Sequence, residues 1–181
     1  MKNVVFIDRD GVINQDSSEY VKSWSEFHFI PGSLNAIQRL TKTGHTVILV
    51  TNQSAVGRGL MTLATLSFIH KKLCDAVAEA GGLITDIFFC PHLPEDQCEC
   101  RKPSPGLIHQ AAWKYKIDMK HAVMIGDSAR DIECGKNVGC CTVLVLTGNG
   151  PNTSQELDER GMIPDAVTAD LKEAAEWIIS R

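Results

Sequence analysis

Two pairs of carboxylates could hold a hard cation or share acid–base work. Asp8 and Asp10 lie two residues apart in VVFIDRDG, and Asp127 and Asp131 lie four apart in AVMIGDSARD, each pair closing a short apolar run. Gly11 lets the chain leave the first run at once, so that both side chains of DRDG can face one pocket. A phosphate monoester is a dianion, and a carboxylate that attacks it needs a cation to screen the repulsion. Asp8 and Asp127 offer the hard oxygen ligands that Mg²⁺ takes. Between the two pairs come an apolar run ending in Thr51 and a lysine, Lys102.

A second cluster has softer ligands. The stretch FFCPHLPEDQCECRKP places Cys90, His92, Cys98 and Cys100 within eleven positions. Three thiols and an imidazole suit tetrahedral zinc and leave no open coordination position, so the expected role is structural. The intervening PHLPEDQ is rich in turn residues and poor in core, and a metal would fold a loop that apolar burial cannot. Cys74, Cys134, Cys140 and Cys141 sit in apolar surroundings and read as core thiols.

These residues need elements to position them. Apolar runs over 3–7, 46–50, 84–89, 122–127 and 142–146 read as strands buried on both faces. Helical spacing separates them at 33–40, 62–80, 105–116 and 129–138, with a last helix at 171–180. Strands alternating with helices predict an α/β fold, a doubly wound, mostly parallel sheet. Ligands bind beyond the carboxyl ends of such strands, where Asp8, Asp10, Thr51, Lys102 and Asp127 all fall. Residues 147–164, TGNGPNTSQELDERGMIP, read as a long surface connection.

The 181 residues suit one domain, 1–181, with the zinc loop at 90–100 and too little remaining chain for a cap domain. The net charge of −4 and the lack of a basic stripe argue against a nucleic-acid partner. No signal-peptide core or membrane span is visible, which predicts a cytoplasmic protein without a membrane partner. The lack of an exposed apolar repeat tilts toward a monomer.

DxDG, a strand-end threonine, a lysine and GDxxxD, in this order over residues 3–146, resemble the phosphatases of the haloacid dehalogenase superfamily. The resemblance implies that Asp8 is the nucleophile, forming an aspartyl phosphate, and that Asp10 is the general acid and base, its carbonyl also binding the metal. Thr51 and Lys102 would hold the transferring phosphoryl oxygens. Asp127 would complete the Mg²⁺ site, with Asp131 outside it, orienting Lys102 or a metal-bound water.

The zinc loop joined to RKP is similar to a smaller branch, whose members act on heptose 1,7-bisphosphate or on histidinol phosphate. The stretches EYVKSWSEFHFIPG and TNQSAVGRGLMT favour the first. That implies release of the 7-phosphate of a phosphorylated sugar, on the way to a nucleotide-activated heptose of the cell envelope, with histidinol phosphate as the alternative. Asp16, Tyr20, Asn52, Gln53, Ser54, Arg58 and Arg101 are the candidate substrate contacts. A zinc-stabilised interaction module on a decayed phosphatase scaffold is the rival from another class; the survival of all five central residues argues against it.

Overall fold

The computed structural model describes residues 3–181. In chain order the elements are β1 (Val4–Ile7), α1 (Ser33–Lys42), β2 (Thr46–Asn52), α2 (Ser54–Gly57), α3 (Leu63–Glu79), β3 (Asp86–Cys90), α4 (Gly106–Tyr115), β4 (Ala122–Gly126), α5 (Ala129–Asn137), β5 (Cys141–Val145), α6 (Gly150–Glu159), β6 (Ala166–Thr168) and α7 (Leu171–Ile179). The six strands form one sheet in the order β3-β2-β1-β4-β5-β6. Every pairing is parallel.

β1 sits at the centre because its side chains are apolar on both sides. Val5 and Ile7 face a core shared with α1, α3 and α7, through Ile37, Leu40, Leu66, Leu73, Ala174 and Ile178. Val4 and Phe6 face the opposite layer, built on Leu107, Ile108 and Ala111 of α4 with Met124 and Cys134. Burying a side chain of this size stabilises by about 1.5–3 kcal/mol, and all four in β1 are at most 5% exposed. The order of the sheet turns back on either side of β1, which places Asp8 and Asp10 at the crevice where such folds bind ligands.

Three elements depart from the sequence reading, one of them the four-residue α2. Residues 147–164 hold α6 rather than a bare connection, and β6 adds a sixth strand beyond the expected five. Both have thin apolar signals. α6 buries only Gly150, Thr153 and Leu157, and β6 is three residues long with Val167 exposed.

Trp24, Phe27 and Phe29 of the loop before α1 pack on one another, with Trp24 and Phe27 stacked 4.9 Å apart. They anchor that loop to the core, and its polar stretch from Asp16 to Val21 is left to line the crevice.

Candidate active site

Asp8 leaves β1 still in register, its N–H donating to Ile125 O at 3.0 Å. Gly11 then turns the chain at φ 80°, and a Cβ there would lie 2.1 Å from Asp127 Oδ2. The carboxyl ends of β1 and β4 are therefore as close as two backbones with acidic side chains can come. Lys102 fills the space beside them. It is 2% exposed, and its Nζ lies 3.0 Å from Asp8 Oδ1 and 2.6 Å from Asp131 Oδ1 and donates to Val50 O at 2.7 Å. Both carboxylates hold its pKa above the ordinary lysine value, against the effect of burial.

Asp131 is fully engaged. Its Oδ1 makes the ion pair with Lys102, off the line of an aligned hydrogen bond. Its Oδ2 accepts from the Ser128 hydroxyl at 2.6 Å and the Ser128 N–H at 3.1 Å. Asp127 has less support: Oδ2 accepts the Asn149 N–H at 2.8 Å. Burial, then the charges of Asp131 and Asp8, push its pKa up to about 8. Burial likewise raises Asp8 to about 6, partly offset by Lys102.

Ligand atoms of Asp8, Asp127 and Asp131 lie within 4.8 Å of one another. Three acids with one lysine among them leave a deficit of positive charge, which adds to burial in raising the Asp8 and Asp127 carboxyls. A hard divalent cation fits this donor set. Among the described residues Asp8 and Asp127 each keep one carboxylate oxygen clear of hydrogen bonds, whereas both Asp131 oxygens face partners of their own.

Asp10 is held differently. Although burial opposes it, the Arg9 guanidinium, Asn14 and Gln53 keep its pKa below the usual carboxylate value. Asn14 Nδ2 donates to Oδ1 and Gln53 Nε2 to Oδ2, both at 2.8 Å. Gln53 also donates to Thr51 Oγ1 at 2.9 Å. Asn52, expected at substrate, uses its side chain on the chain itself: Oδ1 accepts the Lys102 N–H and Nδ2 donates to the Lys102 carbonyl, both at 3.1 Å. The tripeptide Thr51-Asn52-Gln53 thus ties β2 to Lys102 on one side and to Asp10 on the other.

A cavity of about 380 Å³ opens above these groups, lined by Asp8, Asp10, Thr51, Lys102 and Asp127 below and by Asp16, Tyr20, Ser54, Arg58 and Arg101 around the mouth. Tyr20 has φ 62°, a left-handed conformation that costs a side chain of this kind roughly 1–2 kcal/mol. Its ring centroid lies 5.9 Å from Arg58 Cζ. Arg101 donates to His92 O at 3.2 Å. Burial, then the nearby positive charge of Arg130, lowers its pKa.

Arg130, Ser128 and Asn149 also line the cavity and were not singled out in the sequence. Arg130 sits inside GDSARD, where only the two acids carry a motif. Asn149 contributes a main-chain N–H, which leaves no trace in residue type.

Cys90, His92, Cys98 and Cys100 come together at the end of β3. The Sγ atoms lie 3.2–3.5 Å apart, and His92 Nδ1 is 3.5 Å from Cys90 and 3.2 Å from Cys100. A tetrahedron with Zn–S arms of about 2.3 Å has edges of about 3.7 Å, so the four donors need to move little to hold zinc. All seven cysteines are free thiols. Burial pushes the Cys90 and Cys100 thiols up, whereas, although burial opposes it, hydrogen bonds from Cys100 and Cys90 hold Cys98 below the usual thiol value. The loop is fastened to the turn and helix that follow β2, with Gln53 N–H donating to Cys90 O at 2.7 Å and Gly57 N–H of α2 to Pro91 O at 3.0 Å.

A parallel sheet with an Asp-x-Asp loop at the end of its central strand, and a lysine bridging that loop to the acids after β4, defines an HAD-like phosphatase, and the chain belongs to that family. The HAD-hydrolase-like family model matches residues 99–174. D-glycero-beta-D-manno-heptose-1,7-bisphosphate 7-phosphatase of Bordetella bronchiseptica is 45% identical over 178 residues, covering 97% of each chain. The enzyme of the same name from Pseudomonas aeruginosa is 43% identical, covering 93% of this chain and 95% of its own.

Among solved structures, the D,D-heptose 1,7-bisphosphate phosphatase of B. bronchiseptica, complexed with magnesium and phosphate, superposes with a TM-score of 0.92 at 45% identity over 99% of both chains. The corresponding Burkholderia thailandensis phosphatase gives 0.76 at 36% identity, covering 99% of this chain and 100% of its own.

Proposed function

We propose that this protein is a magnesium-dependent phosphatase that hydrolyses the 7-phosphate of D-glycero-D-manno-heptose 1,7-bisphosphate, in the supply of activated heptose for the cell envelope. The observation that carries the choice of substrate is the charge of the cavity. Asp8, Thr51 and Lys102 form a phosphate pole at the floor, and Arg58, Arg101 and Arg130 line the same cavity around its mouth. A floor that takes a phosphate once Mg²⁺ is bound, with three arginines elsewhere on the same cavity, suits a molecule with a phosphate at each end. Histidinol phosphate would bring an ammonium group toward the arginines, where repulsion disfavours it.

In the reaction, Asp8 attacks phosphorus and the P–O7 bond breaks. The electron pair leaves on the sugar oxygen, which takes a proton from Asp10. Asp10 starts below its usual pKa, and the doubly negative phosphate arriving beside it raises that pKa, since like charges disfavour the ionised form. A water molecule then gives its proton to Asp10 and attacks phosphorus, freeing Asp8 and inorganic phosphate. Lys102 and the Thr51 hydroxyl hold the phosphoryl oxygens through both steps. A bound Mg²⁺, held by Asp8, Asp127 and the Asp10 carbonyl, supplies the positive charge that lets a carboxylate approach a dianion.

Cys90, His92, Cys98 and Cys100 hold a structural zinc that fixes the loop carrying Arg101 and Lys102. The reduced thiols this site requires accord with a cytoplasmic location, and no helix among the described residues is long and apolar enough to cross a membrane. One domain acting as a monomer completes the proposal.

The test is phosphate release, with Mg²⁺, from heptose 1,7-bisphosphate and from histidinol phosphate. A preference of at least tenfold in kcat/KM for the bisphosphate is expected, about 1.4 kcal/mol of discrimination; the reverse preference would overturn the choice of substrate. Asp8→Asn should lower turnover by about 10⁴-fold or more, and activity surviving that change would overturn the mechanism.

A further inference from the structure

Arg9 is among the largest side chains sealed from solvent, 1% exposed, and the reaction as derived does not use it. A guanidinium keeps its charge at any ordinary pH, so its burial requires a partner. That partner is Asp10. Nη2 lies 2.7 Å from Oδ1 and 2.8 Å from Oδ2, and Nε lies 3.2 Å from Oδ1.

On its other side Nη1 meets His70 Nε2 of α3 at 3.4 Å. The His70 ring is 7% exposed and sits edge-on to Phe89, 5.7 Å between centroids. Burial, then the Arg9 charge, hold its pKa down at about 3, so the ring is neutral and its free nitrogen can accept. The Phe27 ring centroid lies 5.9 Å from Arg9 Cζ. Asp10 is thus fixed from the protein side while its carboxylate, 21% exposed, still reaches the cavity.

We propose that Arg9, backed by His70, is a positioning residue that aims the Asp10 carboxyl at the leaving-group oxygen. The inference rests on Asp10 being the proton donor and acceptor. Lysine would not replace Arg9, because a point charge cannot hold both carboxylate oxygens and reach His70 at once. Lys102, by contrast, serves Asp8 and the phosphoryl group. Loss of Arg9 should therefore harm the proton transfer and spare the attack, since proton transfer depends on the placement of the donor.

The two are separated by the leaving group. A sugar alkoxide must take a proton as its P–O bond breaks, whereas the p-nitrophenolate of p-nitrophenyl phosphate leaves without one. kcat/KM for either substrate reports steps up to leaving-group departure. Asp10→Asn should lose about 100-fold or more on heptose bisphosphate and under fivefold on p-nitrophenyl phosphate. Arg9→Lys should lose at least tenfold on the sugar and under threefold on the aryl ester.

Should Arg9→Lys fail to fold, as judged by thermal unfolding, the His70 pair carries the test. His70→Leu should lose threefold or more on the sugar alone, and His70→Gln, which keeps an acceptor, should recover at least half of that loss. Equal losses on both substrates from Arg9→Lys or His70→Leu, with Asp10→Asn still discriminating, would overturn the positioning role and leave the reading of Asp10 intact. Failure of Asp10→Asn to discriminate would overturn both.

Discussion

The two ligand clusters of this protein are built on opposite plans. Asp8 and Asp127 hang from strands whose apolar faces are sealed in the core, Asp131 sits in the first turn of α5, and Lys102 reaches among all three with its side chain buried. The thiols gather where β3 runs into a loop, with Cys90 buried in the core and Cys98 and Cys100 packed at its edge, and the sulfurs have mainly one another for hydrogen-bond partners. The sheet sets the first constellation before any metal arrives. The second has few apolar neighbours in PHLPEDQ, and on the zinc reading proposed above its shape would depend on the metal. On that reading the fold holds the site that performs chemistry, and an ion would hold part of the fold.

Three experiments press on this contrast. Lys102→Met should have the largest effect, since it leaves Asp8 and Asp131 as uncompensated buried charges. We expect a loss of about 10²–10³ in kcat and about 3–5 kcal/mol of stability, measured by phosphate release and by urea unfolding. A stability loss below about 1 kcal/mol would show that the acids do not need their lysine.

Removing the zinc, by chelation or by Cys98→Ser, should lower kcat/KM about tenfold and open residues 91–101 to protease, with far-UV circular dichroism unchanged. An intact loop in the metal-free protein would erase the distinction between the two plans.

Gly148→Ala should be smallest. Gly148 has φ 55°, and its added Cβ would lie 2.2 Å from Asp127 Oδ2 and 2.6 Å from Gly11 Cα. We expect weaker Mg²⁺ binding by calorimetry and a stability loss of about 1–3 kcal/mol. Unchanged metal affinity would show that Asp127 is free to move.

The sequence made one of these plans more readable than the other parts of the molecule. Five strands were legible because each is an apolar run ending in polar residues, and the strand ends then named Asp8, Thr51 and Asp127. The cysteine cluster was legible from spacing alone. α6 and β6 were not, because an amphipathic signal needs more buried apolar residues than Leu157 and a three-residue strand supply. Arg9 and Arg130 escaped for another reason. A charge between two motif acids reads as solvated unless the fold is known, yet both line the cavity, and Arg9 is buried as well. Asn52 does line the cavity, as its neighbours suggest, but the hold of its amide on the backbone of Lys102 has no signal in the sequence.

Three adjacent residues at the end of β2 have three different clients: Thr51 the cavity floor, Asn52 the lysine loop and Gln53 Asp10. A single insertion or deletion in that strand would move all three together. Evolution toward another sugar, or an engineer with the same aim, must therefore leave the length of this stretch alone. Variation is open instead in the segments that end on it, the Asp16 to Val21 rim and the turn around Pro94, which reach the cavity without joining its floor.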